Sequence, residues 1–379
     1  MNPEDQGPAR GGAPGISRRH FLNHAGALGA LAGLGAAGLR ARAAPLSQIK
    51  VGVALVAPAA EVGWTRQTVL AVEAVRAAFG SRAVVDVIEN VFEPQDAERV
   101  FRGFAASGHH LVVGTSFSHS VPITRVARQF PQVIFDCCAG VTMGANLANF
   151  EARYHEGTFL GGVAAARMSK TGKLGFIGGY PVPDIVGPAN AFLLGAQSVN
   201  PAATCSIIFM NSWEDPGKEK DATLALIAKG CDVLAAMTDS PVAAQTAEQK
   251  GVWSIGYASD VRKYAPTRLL TSMILDWSGI YLQDTRDVLA GTWKPQTRWW
   301  GLKEGVVQMS PYGAAVPQAV RALVDDREAA IKAGRLQPFG GEIRDQAGVV
   351  RVPAGTVLNE KESRSINWLA AGMQGSLKS

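Results

Sequence analysis

The sequence lacks the motifs by which the common enzyme classes are recognised. It has no phosphate-binding loop that ends in Gly-Lys-Ser/Thr and no Gly-x-Ser-x-Gly elbow, and residues 175–179 lack the glycine spacing of a dinucleotide-binding loop. Histidine is scarce, and no pair in the body of the chain has the i, i+4 spacing of a helical metal site. With no nucleophile–base pair and no metal set, we predict that the protein is not an enzyme and needs no cofactor or metal.

Beyond residue 43 the chain has almost no excess of charge of one sign. The 379-residue sequence has a formal net charge of +5, but residues 1–43 hold five basic and two acidic side chains. The remainder carries 32 basic and 30 acidic residues, with no basic stripe interleaved with aromatic residues. We therefore expect no nucleic-acid partner.

The chain also lacks an apolar run long enough to span a membrane, which needs about 20 strongly apolar residues. Its first 43 residues instead resemble a twin-arginine targeting segment: Arg18-Arg19 precedes Phe21-Leu22, a weakly apolar stretch covers residues 25–39, and Ala41-Arg42-Ala43 fits the small-x-small cleavage rule. A membrane anchor is the alternative, but glycine dilutes the stretch too much. We expect a mature protein that begins near Ala44 and lies free in the periplasm.

Cysteine is rare as well, with only four residues in the chain. Cys137 and Cys138 are adjacent, so a bridge between them would be strained. Cys205 and Cys231 open two consecutive predicted strands, which need not be neighbours in a doubly wound sheet, and the spacings suit no zinc site. Buried thiols are the expected state of all four.

What the sequence does contain is clearest at residues 207–220. Residues 207–210 form a short apolar run typical of a buried strand, and Asp215 followed by Pro216 is a strong helix start. We expect that helix to run to about Lys229, where Gly230 ends it. Trp213 then lies at the carboxyl end of a parallel strand, where open α/β sheets bind ligands. It is either a stacking platform for a flat ligand or a loop aromatic that covers the sheet edge.

Apolar runs and helical patterns alternate from residue 49 onward, and a second similar set begins after residue 149. Predicted helices cover residues 65–79, 155–168, about 190–199, 216–229, 277–289 and 317–333. Such alternation is typical of parallel sheets with right-handed crossovers. We predict an α/β fold of two doubly wound, Rossmann-like lobes joined by a hinge with crossings near residues 149, 271 and 301. The N-terminal lobe comprises residues 44–148 plus about 272–301, and the C-terminal lobe residues 149–271 plus about 302–379.

Several aromatic and acidic residues lie just after predicted strands, on the rim where a cleft between the lobes would open. They are Trp64, Phe117, Trp213, Asp239 and Trp277. Two indoles could sandwich a flat heterocycle, with stacking worth about 0.5–1.5 kcal/mol per aromatic pair beyond area burial, and a carboxylate could accept bonds from its N–H groups. Alternatives remain open, because Trp277 and Phe117 could be core packing and Asp239 could cap a helix before Pro241.

Together the leader, the two lobes and four motifs resemble the basic membrane protein family, the substrate-binding components of ABC importers with the type I periplasmic binding fold. The motifs are Val62-Gly63-Trp64-Thr65, residues 211–216 (NSWEDP), Thr238-Asp239-Ser240-Pro241 and Gly291-Thr292-Trp293. The resemblance covers about residues 49–312. Known members bind purine nucleosides or free purines.

The resemblance implies a base held between Trp64 and Trp213. In the nucleoside receptors an Asp and a Lys hold the ribose. The segment that carries the Asp aligns with residues 256–260, where Ala258, next to Tyr257, takes the place of the carboxylate. The segment that carries the Lys aligns with residues 271–277, which contain Leu275 and Asp276 but no Lys. The ribose clamp is therefore expected to be lost, and a free base such as adenine is the expected ligand. The candidate ligand-binding residues are Trp64, Phe117, Trp213, Asp239, Tyr257, Asp276 and Trp277.

We therefore expect a monomeric periplasmic receptor that closes on a purine-like base and delivers it to an ABC permease and ATPase. A nucleoside receptor, a chemosensory binding module and an enzyme acting on nucleosides are the alternatives. The lack of a catalytic set disfavours the enzyme.

Overall fold

The computed structural model describes residues 45–377, so the predicted targeting segment lies outside the described part of the chain. The strands are β1 (Ile49–Ala54), β2 (Ala83–Ile88), β3 (Leu111–Gly114), β4 (Ile134–Cys138), β5 (Leu147–Ala152), β6 (Lys173–Gly178), β7 (Thr204–Phe209), β8 (Val233–Met237), β9 (Trp253–Ala258), β10 (Leu269–Leu275), β11 (Thr297–Trp300), β12 (Val307–Met309), β13 (Ile343–Arg344), β14 (Val350–Val352) and β15 (Met373–Gln374). The α-helices are α1 (Trp64–Phe79), α2 (Pro94–Ala106), α3 (Ser120–Gln129), α4 (Tyr154–Met168), α5 (Pro183–Gln197), α6 (Pro216–Ala228), α7 (Val242–Lys250), α8 (Ser278–Leu289), α9 (Gln318–Lys332) and α10 (Glu360–Ser363).

The first lobe is built on a six-stranded parallel sheet in the order β11-β5-β4-β3-β1-β2. The inner strands β1 and β3 are largely apolar and buried on both faces, since helices cover both faces of the sheet. Val51 and Val113 pack into the same core as Val72 of α1, whereas Val112 packs with Phe101 of α2 and other residues on the opposite face. This is the pattern expected of a doubly wound sheet.

The second lobe has a seven-stranded sheet in the order β12-β10-β9-β8-β6-β7-β15, parallel except for the pairing of β12 with β10. Helices α4 and α5 pack closely on it. A Cβ at Gly162 would lie 1.9 Å from the carbonyl oxygen of Phe192, and one at Gly195 would lie 2.1 Å from that of Phe159. Only glycine allows this approach of the two helix backbones. The predicted α/β architecture with two parallel-sheet lobes is confirmed.

The predicted start of helix α6 is confirmed, because its signals are local. Asp215 caps α6 by accepting a hydrogen bond from the Lys218 N–H at 3.0 Å, and Pro216 is the first helical residue. Helix α5 differs from its prediction, because it begins at Pro183 rather than near residue 190. Prolines such as Pro181 and Pro183 are typical of loops, but proline also suits the first helical turn, where its missing N–H costs no hydrogen bond.

The chain crosses between the lobes after β5, after β10 and after β11. The sequence analysis placed these crossings near residues 149, 271 and 301, whereas β5 continues to Ala152 and β10 to Leu275. Helix α8 returns to the first lobe and packs on α1. There Arg298 of β11 is buried against two carboxylates, Asp284 of α8 at 2.8 Å and Asp136 of β4, which joins the late segments to the early ones.

Residues 335–377 form a C-terminal segment that the sequence patterns did not reveal. Its strand β15 pairs with β7 at the edge of the second sheet, and α10 begins with a capping box between Asn359 and Glu362. Phe339 and Ile366 of this segment are buried in the main core.

All four cysteines are buried free thiols, as predicted. Strands β7 and β8, near which Cys205 and Cys231 lie, flank β6 and are not paired with each other. Burial raises the pKa of each thiol. Across residues 45–377, no helix combines the length and the hydrophobicity that crossing a membrane requires.

Candidate functional site

A cleft of about 1170 Å³ opens between the lobes, lined by residues that follow strands of both sheets. The first lobe contributes loops after β1, β3 and β4, and the second contributes loops after β6, β7 and β8. The volume exceeds the roughly 300–1,000 Å³ of ordinary small-molecule pockets. The cleft is therefore large enough for a heterocycle with room for further closure.

Trp64 forms the first-lobe wall of the cleft. It is the first residue of α1, and its indole Nε1–H donates to the Thr115 carbonyl oxygen at 2.8 Å, which fixes the ring. Trp277 lies behind it, with ring centroids 5.6 Å apart in an edge-to-face arrangement, and packs on Phe150 as well. Trp277 is only 1% exposed and is not among the cleft-lining residues. The structure thus gives it the core position that was the alternative in the sequence analysis.

Trp213 lines the cleft from the second lobe, in the loop between β7 and α6. The residue is 38% exposed, and its ring packs on that of Tyr180 with centroids 5.1 Å apart. A Cβ at Gly179 would lie 2.4 Å from the indole, so only glycine leaves space for the ring there. Trp64 and Trp213 therefore present one indole from each lobe to the same cleft.

Asp239 joins the two lobes. Its Oδ1 accepts a hydrogen bond from the backbone N–H of Trp64 at 2.6 Å, so a second-lobe carboxylate satisfies the amino end of the first-lobe helix α1. The N-cap residue Gly63 has φ +94° and no side chain with which to cap the helix. Burial raises the pKa of Asp239 to about 6, although the Trp64 N–H acts in the opposite direction. The alternative of a cap for α7 does not hold, because it is the Ser240 hydroxyl that accepts from the Val242 N–H at 3.3 Å.

Further hydrogen bonds close the lobes beside Asp239. The Ser259 hydroxyl accepts from the Gly63 N–H at 3.0 Å and from the Gln67 side-chain amide at 2.6 Å. An exposed ion pair between Lys263 and Glu61, with a nitrogen–oxygen distance of 2.6 Å, lies at the edge of the same contact. The residues around Gly63 thus form a seam along which the two lobes meet.

Phe117 and Tyr257 also line the cleft. Phe117 is 64% exposed at its rim, and Tyr257 is partly buried. Burial and the Asp239 charge raise the pKa of the Tyr257 phenol. Asp276 lies outside the lining, at the second crossing, where its Oδ1 accepts from the Ser278 N–H at 2.9 Å. Ala258 and Leu275, which lie in the two segments that the resemblance aligned with ribose-holding residues, are both apolar and fully buried.

Sequence reasoning missed a charged group at the cleft. Glu151 of β5 and Asp184 in the first turn of α5 line it together with Arg364, which follows α10. The Arg364 guanidinium donates to Glu151 Oε2 at 2.9 Å. Asp184 had a detectable signal, since an acidic residue after Pro183 marks a helix start at a strand end. Arg364 had none, because 213 positions separate it from Glu151.

No cluster of three or more His, Cys, Asp or Glu side chains is placed to hold a metal within the described residues 45–377.

A family model for PnrA-like ABC transporter substrate-binding proteins, the Bmp family, matches residues 48–334. The chain belongs to this family. A purine-binding protein of Brucella abortus is 41% identical over 330 residues, which cover 87% of this chain and 94% of that protein. A putative ABC transporter glucose-binding protein of Haloferax volcanii is 33% identical over 248 residues, 65% of this chain and 63% of that protein.

The fold of this Bmp-family chain is shared by a solved ABC transporter solute-binding protein from Conexibacter woesei, with a TM-score of 0.66 and 26% identity over 76% of this chain and 98% of that one. The resemblance stated from the motifs is therefore confirmed, and the fold is that of the type I periplasmic binding proteins.

Proposed function

We propose that the protein is the receptor of an ABC importer and binds a free purine-type base, such as adenine, between Trp64 and Trp213. The observation that carries this proposal is the pair of cleft-lining indoles, one fixed on each lobe. Such a pair can enclose a flat ring only when the lobes come together, which couples binding to closure. The Brucella abortus relative, named as purine-binding, supports the same ligand class.

The preference for a base over a nucleoside rests on two apolar residues in the segments that the resemblance aligns with the ribose-holding residues. Ala258 and Leu275 are fully buried and offer no charged partner for ribose hydroxyls. Burying a hydroxyl without a partner costs about 1–3 kcal/mol, which corresponds to about tenfold in affinity per 1.4 kcal/mol. A nucleoside receptor is the second candidate, favoured by the size of the cleft and by a nucleoside-binding relative from Lactococcus lactis that is 32% identical over 130 residues.

The proposal extends to location and partners. Arg18-Arg19 and the cleavage pattern support export to the periplasm, and membership of a substrate-binding family supports delivery to a permease and an ATPase rather than catalysis. A monomer suffices for this role, since both walls of the cleft come from one chain.

Titration calorimetry with adenine, hypoxanthine, adenosine and glucose tests the ligand class. Trp213→Leu should weaken binding of the base by about 2 kcal/mol or more, in the range of a buried aromatic anchor. Trp253→Leu is the matched control, because Trp253 begins β9 and does not line the cleft. Unchanged affinity in Trp213→Leu would rule out the sandwich, and tight binding of glucose with no response to any purine would rule out the ligand class.

A further inference from the structure

One end of the cleft is polar and is assembled from three distant parts of the chain. Glu151 comes from β5 of the first lobe, Asp184 from the first turn of α5 in the second lobe, and Arg364 from the C-terminal segment. We call these three residues the polar end. Arg364 lies beyond residue 334, where the family match stops, so family membership assigns it no role.

Only one oxygen of Glu151 accepts a hydrogen bond from an N–H group of the described residues. Its Oε2 accepts from Arg364 Nη2 at 2.9 Å, and its side chain is only 5% exposed. Its Oε1 is buried and receives no N–H or hydroxyl hydrogen bond from the described residues, while the Asp184 carboxyl lies beside it. The same guanidinium also reaches Glu360 Oε1, at 3.3 Å through Nη1, but that carboxylate is 52% exposed.

The charges at the polar end do not balance. Two adjoining carboxyl groups, Glu151 and Asp184, share one guanidinium. Burial raises the pKa of both, and the Asp184 charge raises that of Glu151 further. A buried pair of this kind holds a proton between its members or takes a positive ligand group.

The polar end adjoins the aromatic wall. Tyr154, three residues after Glu151, lines the cleft with its ring centroid 6.4 Å from that of Trp64. Both carboxyl residues, Glu151 and Asp184, line the same cleft as Trp64 and Tyr154. A flat ligand stacked on Trp64 therefore shares that cleft with the carboxyl pair.

We propose that the polar end selects heterocycles that carry an amino group next to a basic ring nitrogen, as in the amidine edge of adenine, over heterocycles with an oxo group there. This inference rests on the proposed function. Asp184 is the contact residue, and Glu151 and Arg364 are positioning residues. The proton held by the carboxyl pair moves to the ring nitrogen, and the resulting ring N–H and the amino group donate to the Asp184 carboxylate. An oxo-substituted edge has no basic nitrogen there and turns a carbonyl oxygen toward the anionic pair.

Calorimetry with adenine and hypoxanthine measures this selectivity as the ratio of the two dissociation constants. In wild-type protein adenine should bind at least about 100-fold tighter, the size expected when a ligand mismatches buried polar groups. Asp184→Asn and Glu151→Gln should each reduce the ratio about tenfold or more by weakening adenine, with hypoxanthine changed less than threefold. Glu98→Gln is the control, since Glu98 pairs with the surface residues Arg102 and Arg125 outside the cleft, and it should keep the wild-type ratio.

A second readout separates ligand recognition from structural support. Calorimetry in two buffers of different ionisation enthalpy counts the protons exchanged on adenine binding, and Glu151→Gln should change that count while a merely structural residue would not. Wild-type selectivity in both Asp184→Asn and Glu151→Gln would overturn the inference even if adenine binds tightly. If wild-type protein binds no purine, the proposed function fails, and cytosine against uracil, whose edges differ in the same way, decides the inference.

Discussion

The carboxylate of Asp239 accepts the backbone N–H of Trp64 at 2.6 Å, although the two residues belong to opposite lobes. The residue that begins the first aromatic wall is therefore held by the lobe that carries the second wall. This contact makes the geometry of the stacking site depend on how the lobes meet. Because Asp239 is titratable, the closure of the lobes should also depend on pH.

The pH dependence of stability should change when Asp239 is replaced by Asn. Burial raises the pKa of Asp239 in the folded protein from 3.8 to about 6, so between those values the folded state binds more protons than the unfolded one. The Asp239 carboxyl therefore makes the free energy of unfolding fall as the pH rises from about 4 to about 6. Above pH 6 it causes no further loss of stability. Melting temperatures of wild type and Asp239→Asn should show a difference, wild type minus variant, that decreases over this window. Parallel curves would contradict the burial of this carboxyl.

The open–closed balance should also respond to Asp239. Asp239→Ala removes the bond to Trp64, so the ligand-free variant should have a larger radius of gyration than ligand-free wild type. Saturating adenine should compact both proteins. Small-angle scattering measures this, and an unchanged radius on ligand addition would argue against a hinge mechanism.

Trp277 should act on stability and Trp213 on binding. Trp277 is 1% exposed behind Trp64, so Trp277→Leu should lower the free energy of unfolding by about 3 kcal/mol through the cavity it leaves. Trp213 is 38% exposed, and Trp213→Leu should change unfolding by less than about 1 kcal/mol. Denaturant unfolding gives both values. Equal losses in the two variants would contradict these positions.

Ala258 should control the choice between base and nucleoside. It has φ +59°, a conformation that Asp tolerates better than most residues, and it occupies the position at which the resemblance expects the ribose-binding carboxylate. Wild-type protein should bind adenine about tenfold or more tighter than adenosine. Ala258→Asp should shift that ratio toward adenosine, whereas Ala258→Asn should shift it less. Tighter binding of adenosine than of every free base in wild type would refute the loss of the ribose clamp.

Export should depend on the paired arginines near the amino terminus. Changing Arg18 and Arg19 together to Lys should leave the precursor in the cytoplasm, because the twin-arginine pathway requires that pair. Immunoblots of cell fractions measure the result, and a mature chain should begin near Ala44. Unchanged export would show that another pathway carries the protein.

The sequence was most informative where a site residue follows a strand and precedes a helix start. Trp213 and Asp215-Pro216 were placed correctly because an apolar run, a cap and a helical proline are local signals. The predicted start of helix α5 was too late, because prolines are common both in loops and in the first turn of a helix. The strand β5, which reads LANFEA, lacked the continuous apolar run of its neighbours, so both its extent and Glu151 were missed.

Contacts between distant segments were beyond local patterns. The role of Asp239 depends on a helix 175 positions earlier, and no spacing rule distinguishes a cap supplied by the other lobe from one within the same helix. Arg364 reaches the cleft only because β15 and the buried side chains of the C-terminal segment hold that segment on the second lobe. Such placements follow from tertiary packing and not from periodicity.

The ion pair between Asp136 and Arg298 sets an order of events during synthesis. The carboxylate of Asp136 is fully buried in β4, and the guanidinium that compensates it comes 162 residues later, on the edge strand β11. A buried carboxylate without its cation is strongly destabilising, so a nascent chain that ends before residue 298 has an incomplete first sheet with an uncompensated charge at its centre. The amino-terminal lobe therefore reaches its final form only after most of the second lobe has left the ribosome.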